Sequence, residues 1–110
     1  MQTKPVIDHR IYTIAPRKMG EFLAVFNELA MPVLRQTLGE PIGTYISKVG
    51  ALNQFVHLWA YESLADYEQR SLQRDQHPDF PRYLAASGHL IVAQENRLLD
   101  AVHLTASKDI

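Results

Sequence analysis

The chain has no cysteine, almost no net charge and no long apolar run. Without cysteine it cannot form disulfides, thiolate nucleophiles or cysteine-rich zinc sites, which suits a reducing cytoplasm. Its formal net charge is −1, so no overall field attracts nucleic acid or an anionic membrane. No apolar stretch approaches the ~20 residues that cross a bilayer, and no signal peptide is visible. We therefore expect a cytoplasmic protein without nucleic-acid or membrane partners.

Sites for metals and cofactors are equally hard to find. The 5 histidines are scattered, and none lies at His-x-His or His-x-x-x-His spacing. The sequence contains no glycine-rich phosphate loop, nucleophile elbow or paired catalytic carboxylate motif. We expect neither a metal site nor a cofactor.

Hydrophobic periodicity predicts strands over 6–14, 42–49, 55–61 and 90–99. The apolar stripe from Met19 predicts an amphipathic helix that Pro32 kinks or ends near Ala30, with a short turn through Leu38. Two further helices are expected over 64–76 and 82–87, the first with Ser63 as its N-cap.

The order βαββαβ predicts an α+β, ferredoxin-like fold, in which a four-stranded antiparallel sheet carries its helices on one face. Right-handed crossovers place the first and third strands in the centre. The expected domain spans residues 6–104, with a tail over 105–110.

The sheet face away from the helices should be polar if it meets water, but the strands do not alternate in that way. In the third strand the small set Val56, Leu58 and Ala60 is predicted to lie beneath the helices. The opposite set, predicted to meet a second copy of the sheet, is Phe55, His57, Trp59 and Tyr61. A two-fold homodimer with facing sheets, forming a dimeric α/β barrel, would cover this face.

A few polar side chains are predicted to enter the covered face. In the first strand the apolar-richer set should face the helices, which sends Asp8, Arg10 and Tyr12 toward the partner sheet. Because the first and last strands are expected to be neighbours, Arg10 and Glu95 could form a cross-strand ion pair.

Several segments together carry a family resemblance. They are Arg10-Ile11-Tyr12-Thr13-Ile14, the stretch from Gly50 to Tyr61, Ser63-Leu64-Ala65-Asp66, and Gln94-Glu95-Asn96-Arg97-Leu98-Leu99. In these segments the chain resembles the NIPSNAP domain over roughly residues 7–99. The resemblance implies the dimeric α/β barrel fold, in a superfamily that includes cofactor-independent monooxygenases, haem-degrading enzymes and small binding proteins. It assigns no reaction to this chain.

Three functions remain open. The first is a homodimer that binds a small aromatic or carboxylated molecule, either between sheet and helices or between facing sheets. Its candidate ligand-binding residues are Arg10, Tyr45, Phe55, Trp59 and Glu95.

The second is a cofactor-independent monooxygenase or isomerase acting on a phenolic or quinone-like substrate. Its candidate catalytic residues are His57, as acid or base, and Tyr12, as oxyanion donor. The third is a purely structural dimer module.

Overall fold

A computed structural model describes residues 2–105 of the chain. The strands are β1 (Val6–Ile14), β2 (Gly43–Ile46), β3 (Gln54–Tyr61) and β4 (Ile91–Asp100). The helices are α1 (Met19–Val25), α2 (Met31–Thr37), α3 (Leu64–Gln76) and α4 (Phe80–Ser87), with a π-helical turn over Phe26–Ala30 between α1 and α2. Most of the predicted tail lies outside the described residues.

The four strands form one antiparallel sheet in the order β2-β3-β1-β4. The fold is α+β and ferredoxin-like, and the prediction that the first and third strands occupy the centre is confirmed. In the register, Arg10 of β1 lies opposite His57 of β3 and opposite Asn96 of β4. This register decides which side chains share a face of the sheet.

The first helical segment is interrupted where the sequence predicts. The Met31 N–H bonds the carbonyl of Phe26, five residues back, and Pro32 follows immediately. Proline has no N–H to continue the regular ladder, so the extra residue of the π turn lies beside the break that proline makes. The helix then continues as α2 and ends shortly before Gly39, whose φ is +95°.

The start of α3 is also as predicted. The Ser63 hydroxyl accepts the Asp66 N–H at 3.0 Å, and an Asp66 carboxylate oxygen accepts the Glu62 N–H at 2.9 Å. Two backbone donors at the helix start are therefore satisfied reciprocally, as in a capping box.

The predicted assignment of side chains to the two sheet faces is wrong. Phe55, His57, Trp59 and Tyr61 are all buried, and they lie on the helix side of the sheet. Asp8, Arg10 and Tyr12 share that side, since each is paired in register with a member of that row. Aromatic side chains bury about 150–250 Å² each and reach far from the backbone, so they suit the thick layer between sheet and helices.

Within the part of the chain that the structure describes, no helix covers the other face of the sheet. Its members include Ile7, Ile11, Val56 and Leu58, all partly exposed, and Tyr45, which is 53% exposed. This face is more aliphatic than expected, but it is still not a polar face.

Across residues 2–105 no helix combines the length and apolar character that a bilayer crossing requires.

Candidate ligand-binding site

A cavity of about 390 Å³ lies between the sheet and the helices. Its floor comes from β1, β3 and β4, and its roof from the π turn, α2, α3 and α4. The lining residues are Arg10, Tyr12, Phe26, Leu34, Leu38, His57, Trp59, Arg74, Asp75, Phe80, Tyr83, Leu84, Ser87, Gly88, Ile91 and Gln94. A mostly apolar wall with a few polar groups is typical of small-molecule pockets, which range over about 300–1,000 Å³.

His57 lies within an aromatic cluster. Its ring centroid is 4.6 Å from that of Tyr12 and 5.5 Å from that of Phe26, with both neighbours edge-on. The Trp59 indole Nε1 donates to His57 Nδ1 at 2.8 Å. Because an indole N–H can only donate, Nδ1 is the acceptor nitrogen, and neutral His57 carries its proton on Nε2.

The environment of His57 keeps it neutral. Burial, together with the charges of Arg10 and His9, lowers its pKa from 6.5 to about 3. Protonation would also place a second N–H on Nδ1, facing the indole N–H. At neutral pH His57 is therefore a hydrogen-bond donor, and its environment disfavours the predicted acid–base role, which needs a pKa near 7.

The protonated Nε2 of His57 is buried and has no hydrogen-bond partner among residues 2–105. The Tyr83 hydroxyl is likewise buried, and it has no hydrogen-bond partner among these residues. Burial raises the pKa of the Tyr83 hydroxyl, which therefore keeps its proton at neutral pH. Buried donors without partners are uncommon, and each costs about 1–3 kcal/mol.

Arg10 is held by a carboxylate on its own strand. Its Nη1 donates to Asp8 Oδ2 at 3.0 Å, and Asn96 Nδ2 donates to Asp8 Oδ1 at 3.2 Å. Burial lowers the pKa of Arg10, but the neighbouring Tyr12 and Asp8 raise it more, so the guanidinium stays charged. The predicted pair of Arg10 with Glu95 is wrong, because Glu95 lies opposite Ile11 and points to the other face of the sheet.

The structure brings four of the seven predicted site residues together around the cavity, namely Arg10, Tyr12, His57 and Trp59. Phe55 lies beneath the helices against Phe22 and Phe26 and does not line this cavity. Tyr45 and Glu95 are separated from it by the sheet.

Sequence reasoning missed Asp8 as the partner of Arg10, and it missed Tyr83 altogether. The i, i+2 spacing of Asp8 and Arg10 places both on one face of a strand, which was the available signal for the pair. Tyr83 gave no such signal, because its contact with the sheet depends on how α4 packs.

Among residues 2–105, no group of three or more histidine, aspartate or glutamate side chains is placed to hold a metal ion. The cavity is lined mainly by aromatic and aliphatic side chains, and its polar lining residues are Arg10, Tyr12, His57, Arg74, Asp75, Tyr83, Ser87 and Gln94.

The NIPSNAP family model matches residues 7–105. The chain belongs to the NIPSNAP family. It is 37% identical over 57 residues to the protein NipSnap homolog of Dictyostelium discoideum. That match covers 52% of this chain but only 25% of the relative, so the matched segment accounts for about a quarter of that protein's length.

Solved structures place this NIPSNAP chain among similar folds. An uncharacterized NIPSNAP-like domain protein from Burkholderia xenovorans is 29% identical with a TM-score of 0.84, and the match covers 99% of this chain and 93% of that one. A putative antibiotic biosynthesis monooxygenase from Nitrosomonas europaea has a TM-score of 0.65, with 96% and 98% covered. At 9% identity, this second likeness shows the fold alone.

Proposed function

We propose that this NIPSNAP protein binds a small, partly aromatic molecule in the cavity between its sheet and its helices. The observation that carries the proposal is the protonated Nε2 of His57, a buried donor without a partner in a residue that lines this cavity. A ligand oxygen that accepts this hydrogen bond would recover the free energy lost by burying the donor.

The remaining lining matches a ligand that has both an aromatic part and an oxygen acceptor. Phe26, Trp59, Phe80 and Tyr83 supply aromatic surface, against which a ring can stack or pack edge-on. Arg10 keeps further guanidinium N–H groups beyond the one bonded to Asp8, so it can donate to the same ligand oxygen.

The proposal is tested by filling the cavity. Ser87 is buried and lines it, whereas Ala85 is exposed on the same helix and does not. In a ligand-observed NMR screen of small aromatic ketones, amides and acids, compounds that bind the native protein should also bind Ala85→Phe and should lose binding to Ser87→Phe. Equal binding of the compounds to all three proteins would place the ligand elsewhere. If none of the compounds binds the native protein, the proposal is contradicted.

We further propose that a second copy of the chain covers the open face of the sheet. Partly exposed aliphatic residues are clustered on this face, including Ile7, Ile11, Val56 and Leu58. A two-fold pairing of identical faces would bury all of them with one interface. Such a dimer leaves the cavity intact, because the cavity lies on the opposite side of the sheet.

Sedimentation equilibrium tests this pairing. Leu58→Asp places a charge on the open face and should give a monomer, whereas Leu72→Asp, at a leucine 54% exposed on α3, should leave the mass of the native dimer unchanged. A native protein that sediments as a monomer would refute the pairing. A dimer without any cavity ligand would instead favour the purely structural module.

A further inference from the structure

The charged side chains around the cavity are already paired within the chain. Arg10 is bonded to Asp8 at 3.0 Å, and at the rim Arg74 Nε donates to Asp75 at 2.9 Å. His57 is neutral, since its Nδ1 accepts the indole proton and its Nε2 carries its own. The wall therefore offers hydrogen-bond donors while its net charge is close to zero.

Arg10 cannot leave Asp8 to bind another anion. Asp8 is 1% exposed, and its hydrogen-bond partners among the described residues are Arg10 and Asn96. A buried carboxylate that loses its cation is strongly destabilised, so the guanidinium is fixed on its own counter-ion. A ligand carboxylate beside Arg10 would thus become a second buried anion next to a guanidinium that already pairs with Asp8, and like charges disfavour such a pair.

An uncharged carbonyl meets none of these penalties. Its oxygen could accept hydrogen bonds from the remaining N–H groups of Arg10 and from the protonated Nε2 of His57, and it would add no charge to the cavity.

We propose that the cavity selects uncharged aromatic carbonyl compounds over aromatic carboxylates, and that Asp8 sets this preference by neutralising Arg10. This inference rests on the proposed binding function and specifies the class of ligand and the residue that selects it.

The test compares three compounds of nearly equal size: acetophenone, benzamide and benzoate. All three share a phenyl ring and a carbonyl carbon, and at neutral pH only benzoate is charged. In calorimetry or NMR titration of the native protein, the dissociation constant of benzoate should be about tenfold or more larger than that of acetophenone or benzamide.

The role of Asp8 is tested with Asp8→Asn, which removes the counter-ion while keeping a side chain of the same shape. Arg10 then lacks a compensating charge, and benzoate should become the tightest of the three ligands. Glu68→Gln removes one negative charge from an exposed position on α3 and should leave the native order unchanged.

The possible outcomes separate this inference from the function on which it rests. If benzoate binds the native protein as tightly as acetophenone or more tightly, the selectivity is refuted but the binding function stands. If none of the three compounds binds, both fail. If native selectivity is present and folded Asp8→Asn retains it, the assignment to Asp8 is wrong. Should Asp8→Asn not fold, the native series alone decides whether the cavity prefers uncharged ligands.

Discussion

The Trp59 indole N–H donates a hydrogen bond of 2.8 Å to His57 Nδ1, and Trp59 lies two positions further along the same face of β3. This single contact determines which imidazole nitrogen carries the proton. Trp59→Phe keeps an aromatic ring but removes the donor, so Nδ1 becomes free to carry a proton itself. We expect a mixture of the two neutral tautomers in the variant, visible in ¹⁵N chemical shifts of the imidazole, and a loss of about 1–3 kcal/mol in the free energy of unfolding. A pure Nε2–H tautomer in the variant would show that another contact imposes it.

His57 should make the protein less stable in acid. Its pKa is about 3 in the folded protein and near 6.5 in the unfolded chain, so below pH 6.5 the unfolded chain binds a proton that the folded chain does not. Its contribution to stability is complete above pH 6.5 and is lost as the pH falls toward about 3, by at most about 1.4 kcal/mol per pH unit.

Urea unfolding at a series of pH values measures this loss. His57→Gln should flatten the dependence between pH 6.5 and about 3, and His103→Gln, at an exposed side chain after β4, serves as the matched control. Parallel curves for the native protein and His57→Gln would rule out a buried neutral histidine.

The pair formed by Asp8 and Arg10 should behave as a unit. Arg10→Leu leaves Asp8 buried without its cation and should cost about 3–5 kcal/mol of unfolding free energy. The double variant Asp8→Asn with Arg10→Leu removes both charges, and it should recover a substantial part of that loss. Chemical denaturation of the two single variants and the double variant gives the coupling energy. Additive losses would mean that the two side chains do not depend on each other.

Two glycines should respond in opposite directions to the same substitution. Gly39 has a φ of +95° after α2, and a β-carbon there would meet no atom within 4 Å. The cost of Gly39→Ala is therefore backbone strain alone, about 1–2 kcal/mol. Gly20 lies within α1, also with open space around its β-position, so Gly20→Ala should stabilise the protein by about 0.5–1 kcal/mol. Thermal unfolding of both variants measures the difference, and equal signs would contradict it.

The order of elements and the strand order followed from the sequence because each depends on local patterns and on general rules of chain connection. The sheet face on which each side chain lies did not follow from the sequence. Alternation along a strand shows that two sets of side chains exist, but it does not say which set faces the helices. Val56, Leu58 and Ala60 were small enough to suit either layer. The depth of the space beneath the helices decides, and that depth is a property of the packed helices.

The candidate site was predictable in part for the same reason. His57 and Trp59 were recognisable as unusual side chains in a strand, and Arg10 as a cation that needs a partner. Which carboxylate pairs with Arg10 depends on the face that Arg10 occupies, so the error in the faces became an error in the pairing with Glu95.

The π turn at Phe26–Ala30 sets the rotational phase of everything that follows it in the helix. An α-helix turns by about 100° per residue, so its one additional residue rotates α2 by that angle relative to α1. Phe26 at the start of the turn and Leu34 and Leu38 after it all face the cavity only with this offset. A regular α-helix of the same sequence, without the wider turn, would carry Leu34 and Leu38 about 100° away from the side that Phe26 faces. The cavity therefore depends on the number of residues in this turn as much as on their identity.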